Sequence, residues 1–322
     1  MKNSTLYYSV GPLLYCPANN ETVADSIINQ RFGNKFSLAL CLEDTIQDNC
    51  IQDAEQKLIN SINKIYMERE NKDFYLPKIF IRIRNTVQLL RLNKAFAATP
   101  GIITGFILPK FSLENADEYI QTIIKVNETS QEPVYTMPIY ENSSIIDLRT
   151  RHDILYTLKD KLTSIEKLVL NIRVGGNDLC HMFGFRRHSN ESIHKIKPIS
   201  NIFSDIITVY GMDYVISGPV WEYYNGNNWK TGLENELIDD RLCGFIGKTV
   251  IHPNQIDVIN EAYKVSSQDL EDAKAILNWD ENSASLVSGS TNLERMNEYK
   301  THSNWALQTI LQAEAYGIKS LN

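Results

Sequence analysis

Apolar runs of strand length alternate with helical patterns eight times along this chain of 322 residues. Short runs rich in aliphatic and β-branched residues, bounded by Gly, Pro or polar residues, are typical of buried strands. The predicted strands lie at residues 12–15, 36–42, 78–84, 105–108, 134–140, 168–174, 214–217 and 248–251. Eight β/α units in series predict an α/β fold, namely a (β/α)8 TIM barrel of parallel strands. A doubly wound open sheet is the competing fold, but it does not require eight strands in series.

The segments between the predicted strands carry apolar residues at helical spacing. They predict barrel helices at residues 21–29, 52–67, 87–97, 116–126, 151–162, 199–210, 234–242 and 257–265. After the barrel, we expect additional helices at 268–279 and 293–316, with a mobile loop rich in Ser and Gly at 282–290. The predicted organisation is therefore a barrel domain at residues 1–266 and a C-terminal helical extension at residues 267–322.

The composition argues against several classes of protein. Hydrophobic residues make up 43% and charged residues 22% of the chain, which is typical of a globular protein with a substantial core. The 32 Lys and Arg against 39 Asp and Glu leave a net charge of −7, so no broad surface for nucleic acid or anionic membranes is expected. No apolar run approaches the ~18 residues of a membrane span. The cysteines are scattered and the first residues make a poor export signal, so we expect a cytoplasmic protein.

Charged side chains directly follow several of the predicted strands. In a TIM barrel the functional residues cluster at the carboxyl ends of the strands. The candidates at those ends are Glu43, Asp44, Arg82, Arg84, Lys110, Glu141, Asp178 and His252. For any single residue, a solvated loop charge or an ion pair at the rim is the simpler interpretation. The set as a whole indicates a functional site, because acids and bases are interleaved around one mouth.

Two of these carboxylates have the sequence context of a metal site. Glu141 ends the stretch VYTMPIYE, and Asp178 follows the stretch LVLNIRVGGN, so each acid comes just after a predicted buried strand. Gly175 and Gly176 let the main chain turn sharply before Asp178. Two acids placed in this way at a barrel mouth can hold a hard divalent cation through oxygen ligands.

Six segments of the chain occur in the order found in a known superfamily. They are LEDT at 42–45, RIRN at 82–85, LPK at 108–110, PIYEN at 138–142, GNDL at 176–179 and GFIGKTVIHPNQI at 244–256. In this order they resemble the HpcH/HpaI aldolase and citrate lyase β-subunit superfamily, and the last segment is the most specific. The stretches NIRVGGNDLCH at 171–181 and SGPVWEY at 217–223 resemble its branch of TIM-barrel C–C bond lyases.

The resemblance implies roles for the residues at the mouth. Glu141 and Asp178 would bind Mg²⁺, with Mn²⁺ as a substitute, and two carboxylates suffice because Mg²⁺ keeps several waters. Arg82 would bind the substrate carbonyl or carboxylate and stabilise an enolate oxygen. The other candidate catalytic residues are Glu43, Asp44, Lys110 and Glu298. The implied substrate is a small 2-oxo or hydroxy acid or its acyl thioester, including a coenzyme A thioester.

Two positions depart from the pattern of the superfamily. Relatives often carry an acid where this chain has Cys41. Many also carry a Met-x-Asp sequence near the C-terminus that reaches a neighbouring subunit's site, and the nearest match here is Met296-Asn297-Glu298. Glu298 is therefore the candidate acid or base from a neighbour, against the simpler interpretation of an exposed helix glutamate. A homo-oligomer, either a trimer or a hexamer, is the expected assembly.

The favoured function is a Mg²⁺-dependent carbon–carbon bond lyase of retro-aldol or retro-Claisen type. The metal would polarise the oxygen of a 2-oxo or hydroxy acid, and a carboxylate would move the proton. A barrel enzyme that uses phosphoenolpyruvate or an enol is the first alternative, and phosphate release would identify it. A non-catalytic metabolite-binding protein is the second, since Cys41 replaces the usual acid, and it would bind without turnover.

Overall fold

The computed structural model describes residues 2–280 and 284–320, and eight of its strands form one parallel sheet. The strands are β1 (Pro12–Pro17), β2 (Ser37–Cys41), β3 (Lys78–Arg82), β4 (Ile103–Leu108), β5 (Tyr135–Tyr140), β6 (Ile172–Val174), β7 (Ile216–Ser217) and β8 (Lys248–Val250). They run in the order β7-β6-β5-β4-β3-β2-β1-β8. Gly218, which follows β7, bridges in parallel to Lys248 of β8 and brings the two ends of the sheet together. The predicted TIM barrel is confirmed.

The central strands are buried on both faces, which explains their continuous apolar sequences. All five residues of β2 are buried, and its register with β3 pairs Cys41 with Arg82. Parallel strands covered by helices outside and by side chains inside have this composition. The sixth strand is shorter than predicted, because Thr163–Leu168 forms a 3₁₀ helix and Val169 makes only an isolated bridge to Thr136.

Twelve α-helices surround or extend the barrel in the described part of the chain. They are α1 (Thr5–Tyr8), α2 (Val23–Ile28), α3 (Ile51–Arg69), α4 (Thr86–Phe96), α5 (Ala116–Thr129), α6 (Arg151–Leu162), α7 (Gly176–Met182), α8 (Lys197–Tyr210), α9 (Trp229–Cys243), α10 (Asn254–Tyr263), α11 (Ser267–Leu277) and α12 (Tyr299–Tyr316). Helices α2 to α6 and α8 to α10 follow the strands in turn and pack apolar faces on the barrel. The sequence does not predict α1 and α7, because four and seven residues are too few to show helical periodicity.

The interior of the barrel contains an apolar cluster. Leu13, Ala39, Phe80, Ile107 and Met137 belong to it, and side chains of α1 pack against it. Toward their carboxyl ends, the strands carry polar and charged residues instead. The functional site is therefore expected at that end of the barrel.

The C-terminal extension contains a hairpin that the sequence does not predict. Strands β9 (Val287–Gly289) and β10 (Met296–Glu298) pair antiparallel. The helix expected at 293–316 begins only after β10, at Tyr299, so its predicted start is wrong. The loop expected at 282–290 is wrong over β9, which is a strand. The first two positions of that loop lie outside the described residues. Strand pairing accounts for the difference, because it depends on a partner segment and not on local propensity alone.

The C-terminal end of helix α12 packs near the barrel helix α10. It packs against α11, and the ring of Tyr316 lies 5.3 Å from that of Tyr263, the last residue of α10. A parallel bridge then joins Ile318 to Val265. The division of the chain at residue 266 stays a prediction. Across residues 2–280 and 284–320, no helix is both long and apolar enough to cross a membrane.

Candidate active site

Arg82 is the last residue of β3, and its guanidinium bridges three carboxylates at the mouth of the barrel. Its Nη2 atom lies 2.9 Å from Glu43 Oε2, 3.0 Å from Asp44 Oδ2 and 3.0 Å from Glu141 Oε1. The side chain of Arg82 is only 9% exposed, and that of Glu141 only 3%. Arg82 thus forms ion pairs at the rim, as the simpler interpretation expects, and three acids share the arginine.

The order of the strands explains why these residues meet. Glu43 and Asp44 follow β2, which pairs with β3, so they lie beside Arg82. Glu141 follows β5, and Lys110 follows β4, which lies between β3 and β5. Residues far apart in sequence converge because the carboxyl ends of all the parallel strands meet at one rim.

Lys110 contacts the acids with both its side chain and its main chain. Its Nζ atom lies 2.5 Å from Glu43 Oε1 and 3.0 Å from Asp44 Oδ1. Its backbone N–H donates to Glu141 Oε1 at 3.0 Å. The φ angle of Lys110 is +50°, a left-handed conformation that is costly for a residue with a Cβ atom. Lys110 thus adopts this costly conformation and also donates its backbone N–H to Glu141.

Gly175 allows Glu141 to lie against the loop that carries Asp178. A Cβ atom at position 175 would lie 2.3 Å from both Cβ and Oε2 of Glu141, which no real side chain tolerates. Gly175 directly precedes α7, and Asp178 lies half-buried in the first turn of that helix. The two candidate metal ligands thus come from the ends of β5 and β6, which are neighbouring strands.

The surroundings of Glu141 disfavour its ionised form. Burial raises its pKa from 4.5 to about 7, although the charge of Arg82 and the N–H of Lys110 act in the opposite direction. The charges of Asp178 and Glu43 raise the pKa further. Burial is the largest of these causes, and the charge of Arg82 does not fully offset burial together with the repulsion from Asp178 and Glu43. A cation next to Glu141 and Asp178 would relieve the repulsion.

Glu43 and Asp44 have pKa values that move in opposite directions. Burial and a hydrogen bond with Asp44 raise the pKa of Glu43. Burial would also raise the pKa of Asp44. The hydrogen bond with Glu43 and the charges of Arg82 and Lys110 outweigh burial, so the pKa of Asp44 is lowered. Two neighbouring acids with separated pKa values can hold a proton on one and a negative charge on the other.

The candidate metal ligands supply oxygen atoms only. In residues 2–280 and 284–320, no group of three or more His, Cys, Asp or Glu side chains is arranged to hold a metal ion. A pair of carboxylates matches Mg²⁺, which takes one or two protein carboxylates and keeps several waters. Oε1 of Glu141 already accepts hydrogen bonds from Arg82 and Lys110, so Oε2, next to Gly175, is the oxygen left for a cation.

Cys41 and Glu298 do not join the acid cluster. Cys41 ends β2 and is fully buried, and it supplies no carboxylate. Glu298 ends β10 on the C-terminal hairpin, where it is half-buried and its backbone N–H donates to His302 Nδ1 at 3.0 Å. The contacts described within one chain do not bring Glu298 to the mouth of the barrel. Its role at a neighbouring subunit stays a prediction.

Arg84 and His252 also lie at strand ends but have contacts that hold loops together. Arg84 Nε donates to the carbonyl of Leu42 at 2.7 Å. The ring of His252 stacks on Tyr224 at 4.7 Å, and its Nδ1 atom accepts from the N–H of Asn254 at 3.2 Å. These two candidates therefore brace the rim, in line with the simpler interpretation.

Tyr15 and Arg173 lie inside the barrel and are absent from the predicted site. Tyr15 belongs to β1, and burial raises its pKa to about 12 although the charges of Arg82 and Arg173 act against the shift. Arg173 belongs to β6 and its Nη2 donates to Thr249 Oγ1 of β8 at 2.6 Å. A charged residue within an otherwise apolar strand is the signal in the sequence that could identify Arg173.

A second cluster of charges is buried between β8 and α9. Lys248 Nζ lies 2.9 Å from Glu236 Oε1 and 2.6 Å from Asp240 Oδ2, and all three side chains are fully buried. Arg187 Nε pairs with Glu236 Oε2 at 3.2 Å, and His194 Nε2 lies 2.8 Å from Asp240 Oδ1. The cluster lies outside the barrel, so we assign it to the attachment of α9 and not to the mouth.

The fold and the acid-lined mouth define a TIM-barrel protein with a candidate metal site at the carboxyl ends of its strands. A family model for C–C bond lyases of the TIM-barrel fold matches residues 4–318. The chain therefore belongs to this family, and the branch inferred from the sequence motifs is confirmed. No curated protein matches the chain.

Solved structures of citrate lyase-like proteins share the fold. CitE from Mycobacterium tuberculosis, in complex with magnesium, acetoacetate and coenzyme A, has a TM-score of 0.61 and 18% identity, covering 95% of this chain and 99% of that one. A citrate lyase from Burkholderia xenovorans LB400 has a TM-score of 0.70 and 14% identity, with coverages of 97% and 94%. The M. tuberculosis citrate lyase β subunit with oxaloacetate and magnesium has a TM-score of 0.52 and 19% identity, with coverages of 80% and 98%. At these identities the likeness is one of fold.

Proposed function

We propose that this chain is a Mg²⁺-dependent carbon–carbon bond lyase that acts on a small 2-oxo or hydroxy acid or its acyl thioester. The observation that carries the proposal is the position of Glu141, a buried carboxylate that contacts Arg82 and is repelled by Asp178. An acid pair for a cation and an arginine for an oxyanion are what a retro-aldol or retro-Claisen cleavage requires. Membership of a family of C–C bond lyases supports the reaction type.

Glu141 and Asp178 are the proposed ligands of Mg²⁺, with Mn²⁺ as a substitute. The raised pKa of Glu141 and its Oε2 atom, which is not used by Arg82 or Lys110, both fit a cation at this position. Bound Mg²⁺ would supply Lewis-acid polarisation of the substrate oxygen. The M. tuberculosis structures hold magnesium together with acetoacetate or oxaloacetate, which supports the same choice of ion here.

Arg82 is the proposed partner of the substrate's carbonyl or carboxylate oxygen. Its Nη2 atom contacts the acids, but its Nε atom is buried and donates to no acceptor within the described residues. Burial lowers the pKa of Arg82, but its interactions with Tyr15, Glu141 and Glu43 raise it by more, so the guanidinium stays charged. A fixed positive charge in a buried site stabilises the negative charge that develops on an enolate oxygen.

Glu43 is the proposed carrier of the proton. Its pKa is raised, so it holds a proton more readily than an ordinary glutamate, while the pKa of Asp44 beside it is lowered. The hydroxyl proton of a hydroxy acid would pass to Glu43 as the carbon–carbon bond breaks, and from Glu43 to the carbon that takes up the electron pair. Lys110 positions both acids through its Nζ atom, and it is not proposed as a Schiff base because a metal already polarises the carbonyl.

The substrate class and the assembly are proposals of the same kind. A coenzyme A thioester is a proposed form of the substrate, supported by the CitE complex that contains coenzyme A. A homo-oligomer is proposed because Glu298 would then reach the mouth of a neighbouring barrel. Removing residues 267–322 would test this second point, since a truncated chain that stays oligomeric would assign the contact to another surface.

The test of the function is turnover of a panel of hydroxy acids, 2-oxo acids and their coenzyme A thioesters, with MgCl₂ and with a chelator. We expect Mg²⁺-dependent release of a cleavage product, lost in Arg82→Gln and kept in Arg91→Gln, whose guanidinium pairs with Glu55 on the outer helices. Phosphate release from phosphoenolpyruvate would instead identify an enol-utilising enzyme. Binding without turnover across the panel would identify a non-catalytic binding protein.

A further inference from the structure

Arg173 is a buried arginine without a carboxylate partner. Residues 2–280 and 284–320 contain four buried arginines, and the other three are Arg82, Arg151 and Arg187. Each of those three contacts at least one carboxylate oxygen within 3.2 Å. Arg173 is 1% exposed and forms no ion pair in this part of the chain. Its charge is therefore the one that the described fold leaves uncompensated.

The guanidinium of Arg173 lies in the interior of the barrel. Arg173 belongs to β6, yet its Nη2 atom donates to Thr249 Oγ1 on β8 at 2.6 Å. It also interacts with Tyr15 on β1. Neither β8 nor β1 is adjacent to β6 in the sheet, so these contacts can form only across the interior. The acids at the rim follow other strands or begin the helix after β6, and none of them pairs with Arg173.

Unused hydrogen-bond donors surround this position. Nε of Arg173 and Nδ2 of Asn171 are buried and donate to no acceptor among the described residues. Asn171 lies two residues before Arg173, and its Oδ1 atom accepts from Arg173 Nη1 at 3.3 Å, so the two side chains are in contact. Both of these N–H groups lack an acceptor, and the one on Arg173 belongs to a positively charged side chain.

The free-energy cost of these unpaired donors and of the unpaired charge indicates which kind of ligand would bind beside Arg173. A buried donor without an acceptor destabilises the folded state, and an unpaired buried charge destabilises it more. Water could accept these hydrogen bonds but would not neutralise the guanidinium. A carboxylate does both, because its two oxygens match the planar fork of an arginine.

We propose that Arg173, Asn171 and Thr249 form a carboxylate-binding subsite inside the barrel, separate from the acids that line the mouth. A planar carboxylate accepts from Arg173 and from the Nδ2 atom of Asn171. The Thr249 hydroxyl, whose oxygen accepts from Arg173, has its own proton to donate to the same anion. The subsite needs no metal ion, so its test is independent of the Mg²⁺ site proposed at Glu141 and Asp178.

The first experiment measures thermal unfolding of the chelator-treated protein against increasing sodium formate, the smallest carboxylate. We expect a saturable rise of the unfolding midpoint in the wild type, because a ligand that binds only the folded state stabilises it. The rise should be absent in Arg173→Gln and intact in Arg91→Gln, which removes an arginine from an outer helix. An equal rise in Arg173→Gln, or no rise in the wild type, would overturn the proposal.

A second variant tests the same subsite without removing the arginine. Asn171→Asp would place a carboxylate of the chain itself beside Arg173, at the position where Oδ1 of Asn171 now accepts from Nη1. This variant should unfold at a higher temperature than the wild type and should not respond to formate. The matched control is Asn60→Asp, at an exposed position on α3. A lower midpoint together with a retained formate response would contradict the subsite.

The carboxylate could belong to the substrate or to a separate small acid, and the chemistry is the same. The formate titration repeated with Mg²⁺ and a saturating 2-oxo dicarboxylic acid separates the two sources. Loss of the formate response would assign the subsite to a carboxylate of the substrate. A formate response that persists would assign it to a separate acid. A failed formate titration would not affect metal binding at Glu141 and Asp178, so the two proposals fail separately.

Discussion

The Nη2 atom of Arg82 lies 3.0 Å from Oε1 of Glu141, while Oε2 of the same carboxylate lies beside Gly175. The positive charge of Arg82 therefore lies next to one oxygen of Glu141 and not next to the other. Its raised pKa shows that the arginine does not fully offset burial and the neighbouring acids. The two oxygens of Glu141 can therefore have different functions. Oε1 contacts Arg82, which can bind the substrate, and Oε2 can bind a metal ion.

Replacing Arg82 by Gln should weaken binding of a 2-oxo acid and spare the metal. The substrate would lose a charge-assisted hydrogen bond, so the affinity for pyruvate in the presence of Mn²⁺ should fall by roughly 10- to 100-fold. Affinity for Mn²⁺ should stay the same or rise, because a positive charge near the carboxylates is removed. Calorimetric titration of both ligands measures this, with Arg91→Gln as the control. Loss of metal binding in the Arg82 variant would show that the arginine organises the ligands.

Replacing Gly175 by Ala should disturb the metal site without touching either acid. The added Cβ would lie 2.3 Å from Oε2 of Glu141, so the carboxylate must move away from the loop of Asp178. We expect a marked loss of Mn²⁺ affinity. Gly33→Ala is the control, since a Cβ there meets no atom within 4 Å and costs about 1 kcal/mol of backbone strain only. Equal Mn²⁺ affinity in both variants would contradict the role of Gly175.

The stability of the metal-free protein should fall as pH rises from about 4.5 to about 7 through the titration of Glu141. Its pKa is higher in the folded chain than in the unfolded chain, so the folded state binds the proton more tightly in that window and loses this advantage above it. The difference is at most about 3 kcal/mol. Chemical unfolding across this pH range should give a flatter profile for Glu141→Gln than for the wild type. Saturating Mg²⁺ should flatten the wild-type profile, and identical profiles for wild type and variant without metal would refute the shift.

Replacing Lys248 by Met should destabilise the fold strongly. The change leaves Glu236 and Asp240 buried without this cation, and loss of one partner from a buried ion pair costs about 3–5 kcal/mol. The control is Lys230→Met on the same helix as the acids, because its contact with Glu234 is exposed and 3.9 Å long. That control should change the free energy of unfolding by less than about 1 kcal/mol. Urea unfolding measures both, and similar losses would argue against an isolated buried cluster.

The sequence predicts the barrel because each strand is a separate local signal. A run such as that of β2, apolar at every position and bounded by polar residues, indicates a strand buried on both faces without knowledge of its partners. The order of strands then follows, since a β/α series packs neighbours in sequence. For the same reason, Glu43, Arg82 and Glu141 could be assigned to one rim before their distances were known.

Features that depend on contacts between distant segments could not be predicted. The left-handed backbone of Lys110 accompanies a hydrogen bond to Glu141, which lies 31 residues away, and no local propensity encodes that contact. The bond from Arg173 to Thr249 crosses the barrel and joins residues 76 positions apart. The β9–β10 hairpin is missed because its strands are short and largely exposed, so they lack the apolar pattern of a core strand.

Calorimetric titration of Mn²⁺ into chelator-treated protein tests the central claim, that Glu141 and Asp178 together bind the metal ion. We expect binding to the wild type and a loss of affinity by more than ~100-fold in both Glu141→Gln and Asp178→Asn, since removing a direct ligand costs more than removing a residue that supports one. The exposed controls Glu271→Gln and Asp153→Asn should bind as the wild type does. Equal affinity in all five proteins would contradict the assignment.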